Sequence, residues 1–186
     1  MDPVTLRTPR LVLRPPALDD VDAITAACQD PAIQRYVPVP VPYAREDAVS
    51  YVTEFCALGW ASGDRLTWAV LEGGQLVGTV GLHAIADAAA EIGYWLAPGA
   101  RGRGFMREAA AAVVDHGFDA SAGLVRIGWR AYAGNTGCAA VARALGFRFE
   151  GVARRGAMGR DGREDDLLAG LLATDDRTPQ PWPVLA

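Results

Sequence analysis

The stretch Glu91–Glu108, E-I-G-Y-W-L-A-P-G-A-R-G-R-G-F-M-R-E, holds the residues whose types and spacing point most directly to chemistry. A strand runs into a glycine-rich turn and then opens a helix. Gly102 and Gly104 lack Cβ atoms, so the backbone can approach a ligand closely, and the free N–H groups of a helix start can hold phosphate oxygens. Arg101 and Arg103 either add positive charge to such a cradle or form a solvated rim. No G-K-[S/T] follows, and Arg107 stands where the third glycine of G-x-G-x-x-G belongs, so nucleoside triphosphate and dinucleotide loops are excluded. On spacing alone, a pyrophosphate cradle and a turn that merely caps a helix remain two readings.

Other chemistry is sparse. Cys28, Cys56 and Cys138 are odd in number and have no C-x-x-C pair, which argues against a disulfide framework or a zinc cluster. His83 and His116 have no ligand-spaced companions and read as packing or surface histidines, so no metal is expected.

The elements that must position the loop follow from patterning. R-L-V-L-R at Arg10–Arg14 alternates and ends at Pro15–Pro16, as a first strand should. Asp19–Gln29 and Arg45–Leu58 carry helical spacing, the first ending before Pro31. Between them V-P-V-P-V-P, Val37–Pro42, cannot donate a continuous ladder and reads as an extended lid edge flanked by Tyr36 and Tyr43. Leu66–Leu71, Gln75–Leu82 and Ala90–Leu96 read as a three-stranded meander with a turn at Gly73–Gly74. An Ala-rich helix to Phe118, a strand Leu124–Tyr132, a helix Thr136–Leu145 and strands near Phe147–Ala153 and Asp166–Ala173 complete a β-α-α-β-β-β-α-β-α-β-β order. Residues 1–173 are expected to form one domain. Residues 174–186, with three prolines, are expected as a tail on the surface or at a homodimer contact.

At 186 residues, 51% hydrophobic and 22% charged, the chain has the composition of a globular protein, and the order of its elements is that of an α/β (α+β) domain. Its formal charge of −4 gives no reason to expect nucleic acid or an anionic membrane as partner. The start Met1–Arg10 has no apolar h-region and no stretch of about eighteen apolar residues occurs, so a cytoplasmic location is expected.

With these residues in view, the sequence resembles the GNAT superfamily of N-acetyltransferases, in the branch of the RimJ/RimL ribosomal-protein enzymes. Arg101-Gly102-Arg103-Gly104-Phe105-Met106 is similar to the family's [Q/R]-x-x-G-x-[G/A] loop, with Met106 at the departing last position. L-R-T-P-R-L-V-L-R-P at Leu6–Pro15, A-E-I-G-Y-W-L before the loop, and Asn135 followed by Leu145-Gly146-Phe147 carry the likeness across Leu6 to Ala173. The resemblance implies a mixed, twisted sheet of about seven strands flanked by about four helices, its fourth and fifth strands splayed to admit a pantetheine arm. It further implies acetyl-CoA as cosubstrate, bound by Arg101, Gly102, Arg103, Gly104, Phe105 and Met106 through pyrophosphate. Trp95, Leu96 and Ala97 would bind pantetheine through their backbone, joined by Asn135, which also suits a helix N-cap.

Acetyl transfer to an amine needs a neutral amine, a polarised carbonyl and a proton for the departing thiolate. Glu91 is the candidate base, because related enzymes carry a carboxylate at that place, with Asp165 and Glu150 as lesser candidates. The family's usual acid, a tyrosine seven residues after the asparagine, is replaced by Ala142. Cys138 stands where the RimJ/RimL-like branch has serine, and is the candidate acid beside water, its acidity raised by a helix N-terminus. Trp60, Trp68 and Trp129 read as core or pocket wall. The acceptor is a protein N-terminal amine or a small-molecule amine. The competing reading is a non-catalytic acyl-CoA-binding module of the same fold.

Overall fold

The alternation in Leu11–Arg14 buries Leu11 and Leu13 on one face, and the mainly apolar run Leu66–Leu71 is buried on both. Strands of these two kinds build one sheet in a computed structural model that describes residues 2–185. Its strands are β1 Leu6–Arg7, β2 Leu11–Arg14, β3 Leu66–Glu72, β4 Gln75–Ala86, β5 Ala89–Leu96, β6 Arg126–Tyr132, β7 Arg148–Gly159 and β8 Gly162–Leu172. They lie in the order β1-β2-β3-β4-β5-β6-β8-β7. Every neighbouring pair is antiparallel except β5 and β6, which are parallel.

The sheet therefore has eight strands where the sequence suggested about seven. The additional one is the short β1, paired to β2 at the sheet edge. Gly73 and Gly74 both take positive φ, +56° and +84°, as a tight hairpin between β3 and β4 requires. The fourth and fifth strands of the sequence reading are β5 and β6.

Among the described residues six α-helices, four of them no more than two turns long, flank the sheet. They are α1 Val21–Ala27, α2 Pro31–Tyr36, α3 Arg45–Ser50, α4 Ala57–Ser62, α5 Phe105–Phe118 and α6 Thr136–Ala144. α3 runs into α4 through a π-helical stretch, Tyr51–Cys56, so the expected helix from Arg45 continues to Ser62. α2 was not expected, because Pro31 reads as a stop. It is instead the first residue of a new helix, where a missing N–H costs nothing, and Asp30 caps it by accepting the Ile33 N–H at 3.0 Å.

α5 is the crossover between the parallel strands. It buries Phe105, Met106, Ala109, Ala110, Val113 and Val114 against Val80, Leu82 and Ile127, small alanines letting the helix sit close to the strands. The opposite face carries a separate cluster in which Val21, Ile24, Ile33, Tyr43 and Val52 pack with Trp95.

The tail lies mostly exposed on the surface but is anchored by one residue. Trp182 is buried, ring to ring with Trp129 and Phe149, and its Nε1 donates to the Phe147 carbonyl at 3.1 Å. Among the described residues no helix is long and apolar enough to cross a membrane.

Candidate active site

β5 and β6 pair only from Ala89↔Arg126 to Ile92↔Trp129. Past that rung β5 keeps its partners on β4, Gly81↔Gly93 through Gly78↔Leu96, and β6 keeps its partners on β8. The β6-facing backbone of Gly93–Leu96 is thus left without a strand partner, an opening with exposed hydrogen-bonding groups at the carboxyl ends of two parallel strands.

Two cavities meet at this opening. The smaller, about 350 Å³, is lined by Leu96, Arg101, Gly102, Met106 and Gly137 among others. The larger, about 1050 Å³, reaches across the sheet to Glu91, His83 and Arg65. Tyr36, Val37, Tyr94, Trp95, Asn135 and Cys138 line both and form their junction.

At the loop, Gly102 and Gly104 take φ of +74° and +78°. An L-residue held there costs about 1–2 kcal/mol, so glycine is required by the backbone itself. Gly104 is the N-cap of α5, whose first N–H groups have no acceptor within the helix. The two arginines do not stand free. Arg101 donates to Asp30 at 2.6 Å and to the Leu96 carbonyl at 3.3 Å, and Arg103 holds Glu72 through both terminal nitrogens at 2.9 and 2.6 Å. Phe105 is buried beneath the guanidinium groups of Arg10 and Arg103. The anion-holding capacity of this turn thus rests on its N–H groups, with its side-chain charge largely spent on scaffold carboxylates.

Of the residues expected to bind pantetheine, Trp95, Leu96 and Asn135 reach the cavities, whereas the Ala97 N–H is already donated to the Val77 carbonyl at 2.9 Å. Asn135 is the N-cap of α6, its Oδ1 accepting the Cys138 N–H at 3.3 Å. Arg103, Gly104 and Phe105 do not line either cavity, while Arg101, Gly102 and Met106 line the smaller one.

Glu91 lies on β5 beside the last parallel rungs, half-buried in the larger cavity. Burial raises its carboxyl pKa above the ordinary range, the Arg130 charge lowers it and the Asp166 charge raises it again. Cys138 sits in the first turn of α6, and burial pushes its thiol up, against the lowering expected from the helix N-terminus. The thiol therefore stays protonated. Tyr94 donates its hydroxyl to the Cys138 carbonyl at 2.9 Å.

The lesser carboxylates are occupied elsewhere. Glu150 pairs with Arg126 through two bonds of 2.7 Å, and Asp165 accepts the Arg155 N–H at 2.8 Å. Trp60 and Trp68 are core residues, and Trp129 is both core and cavity wall. Tyr36 bonds the Gly134 carbonyl at 3.3 Å, and Tyr43 is buried at the cavity's helical side. Among the described residues no group of three or more His, Cys, Asp and Glu is placed to hold a metal ion.

Sequence reasoning passed over three cavity residues. His83, read as packing, pairs across the strands with Glu91, and burial lowers its pKa to about 4, so it is a neutral imidazole. Asp166 is 1% exposed and tied to Arg130 next to Glu91. Arg65 lines the same cavity. The β4–β5 register carries the signal for His83, but the turn that sets it, Asp87–Ala88, holds neither glycine nor asparagine.

A mixed sheet opened between two parallel strands, with an amide-rich helix start on one side and a half-buried carboxylate on the other, is an architecture suited to acyl transfer. Residues 10–148 match the family model described as "Acetyltransferase (GNAT) domain". The chain belongs to the GNAT family of acetyltransferases. It is 34% identical over 154 residues to the uncharacterized N-acetyltransferase YoaA of Bacillus subtilis, covering 81% of this chain and 86% of that one. Among solved structures, RimL, a ribosomal alpha-N-protein acetyltransferase in complex with coenzyme A, superposes with a TM-score of 0.83 at 20% identity, over 91% of this chain and 98% of RimL. Mycobacterium smegmatis RimJ, in complex with CoA-disulfide, gives 0.82 at 27% identity over 95% and 90%.

Proposed function

We propose that the protein moves the acetyl group of acetyl-CoA directly to a primary amine, with the thioester seated at the junction of the two cavities. The observation that carries this reading is the unpaired β5 edge lying between the Gly102–Gly104 turn and Glu91. Acetyl-CoA supplies an activated acyl group when bound.

The chain's own groups supply the rest. The first N–H groups of α5 receive the pyrophosphate, and the smaller cavity holds the pantetheine arm along Trp95 and Leu96. Backbone donors of the open edge polarise the thioester carbonyl. Glu91, kept from easy ionisation by burial yet facing Arg130, takes the ammonium proton, directly or through water. Cys138, held in its protonated form, or a water beside it returns a proton to the departing thiolate. The larger cavity receives the acceptor under the wall formed by α2 and residues 37–40.

The test is release of free CoA thiol from acetyl-CoA in the presence of peptides, polyamines and amino-sugar amines. Turnover with at least one class, with the acetylated amine found by mass, supports the reading. Tight acetyl-CoA binding with no turnover on any amine indicates the non-catalytic acyl-CoA-binding alternative.

A further inference from the structure

Two arginines line the larger cavity, and they differ in one respect. Among the described residues Arg130 is neutralised by Asp166, whereas Arg65 forms no ion pair with a carboxylate and its buried Nε has no hydrogen-bond partner. Arg65 is nonetheless held firmly. Its guanidinium centre lies 3.9 Å from the ring centroid of Phe55, and its Nε is buried against the Gly59 segment of α4. Such packing fixes the planar fork in advance and leaves its two terminal nitrogens for a ligand.

Its surroundings extend this into a track. Leu66 pairs with Leu82 and His83 with Glu91, which sets Arg65, the residue just before β3, in line with His83 on β4 and Glu91 on β5. At about 4.8 Å per strand, Arg65 and Glu91 stand about 10 Å apart along the sheet. Between them the floor is Gly81 and Gly93, and the His83 ring, with its Nε2, rests over both. Thr67, on the strand that follows Arg65, is buried with its hydroxyl against the Cys56 thiol. Of the other carboxylates lining the cavity, Asp47 accepts the Ala44 N–H at 2.7 Å and Glu54 is exposed, and among the described residues neither forms an ion pair with Arg65.

We infer that the Arg65 end of the cavity binds a carboxylate carried by the acceptor, so that the amine acetylated at Glu91 belongs to a molecule with an anionic group several bonds away. This rests on the acetyl-transfer reading above. Two sources offer that chemistry, a small ω-amino acid and a peptide with an acidic N-terminal residue.

The probes are 4-aminobutanoate, 6-aminohexanoate and 8-aminooctanoate against their carboxamides, and the amidated peptide Glu-Ala-Ala against Gln-Ala-Ala. Two readouts are taken on wild type and Arg65→Gln: kcat/KM by thiol release, and affinity for the CoA-loaded protein by calorimetry. The expected result is at least a tenfold preference for the carboxylate within one arm, which names the source, and its disappearance in Arg65→Gln at unchanged affinity for CoA. Equal affinity of wild type for carboxylate and amide in both arms overturns the inference. If no amine is turned over but the Arg65-dependent binding preference is present, the carboxylate site stands and the acetyl-transfer reading falls. Should Arg65→Gln fail to fold, Arg65→Lys, which keeps the charge without the fork, must lower the preference at least threefold, and an unchanged ratio overturns the inference.

Discussion

The hydroxyl of Tyr94 on β5 donates to the main-chain carbonyl of Cys138 on α6 at 2.9 Å, bridging the opening where β5 and β6 have parted. Burial drives the Tyr94 pKa well above its ordinary value, so the group remains a donor throughout the working pH range. Tyr94→Phe keeps the ring and removes the hydroxyl that ties β5 to α6, while the Cys138 carbonyl keeps its place in the helical ladder. A loss of about 0.5–1.5 kcal/mol in unfolding free energy is expected, measured by denaturant titration. No loss means that the bridge does not hold the two elements together.

Cys138 is next to that bridge and is the residue in doubt as proton donor. If the protonated thiol donates, or orients a donating water, Cys138→Ala lowers turnover about ten- to a hundredfold, while Cys138→Ser keeps most of it. If the thiol only fills space, Cys138→Ala costs about 1 kcal/mol of stability and leaves turnover alone. Steady-state rates and melting temperatures of both variants separate the two outcomes, and unchanged turnover in a less stable Cys138→Ala protein assigns the proton to water.

Glu91→Gln should lower kcat by about a hundredfold or more with acetyl-CoA affinity nearly unchanged, since a base acts on the amine. Part of the loss is recovered at high pH, where free amine is abundant. The stability of the wild type carries the opposite sign. A carboxyl whose folded pKa is raised holds its proton more tightly in the folded state, so stability falls as pH rises from the unfolded pKa through the raised one. Glu91→Gln is therefore expected to melt higher than wild type at neutral pH and close to it below the ordinary carboxylate range. Scanning calorimetry at both pH values checks this, and a lower melting temperature at neutral pH contradicts it.

The parts of the site that are local in sequence were legible, and those made by distant pairing were not. The glycine spacing at Gly102 and Gly104 exposes the loop because positive φ is a property of single residues. The ion pairs that consume Arg101 and Arg103 come from Asp30 and Glu72, far along the chain, and no local pattern announces them. Cys138 sits at a helix start, as expected, but its acidity is decided by burial, which outweighs the opposing contacts with Tyr94 and Trp129, a tertiary fact. His83 faces Glu91 through a turn made by Asp87 and Ala88 at φ of 49° and 58°, residues that do not advertise one.

The tail offers a separate test. Trp182 plugs the core between Trp129 and Phe149, and removal of a buried tryptophan costs about 3–5 kcal/mol. Trp182→Ala, or removal of residues 174–186, should lower the denaturation midpoint accordingly with the slope unchanged. An unaltered midpoint means that the tail contributes nothing to folding.

The placement of acetyl-CoA on the α5 turn is tested most directly by calorimetric titration of acetyl-CoA into wild type and Gly104→Asp. A carboxylate at this left-handed N-cap both strains the turn and sets a negative charge where the proposed function places the pyrophosphate. The expected result is saturable one-site binding to wild type and none measurable to a Gly104→Asp protein whose circular dichroism shows it folded. Binding of acetyl-CoA to folded Gly104→Asp with wild-type affinity contradicts the assignment.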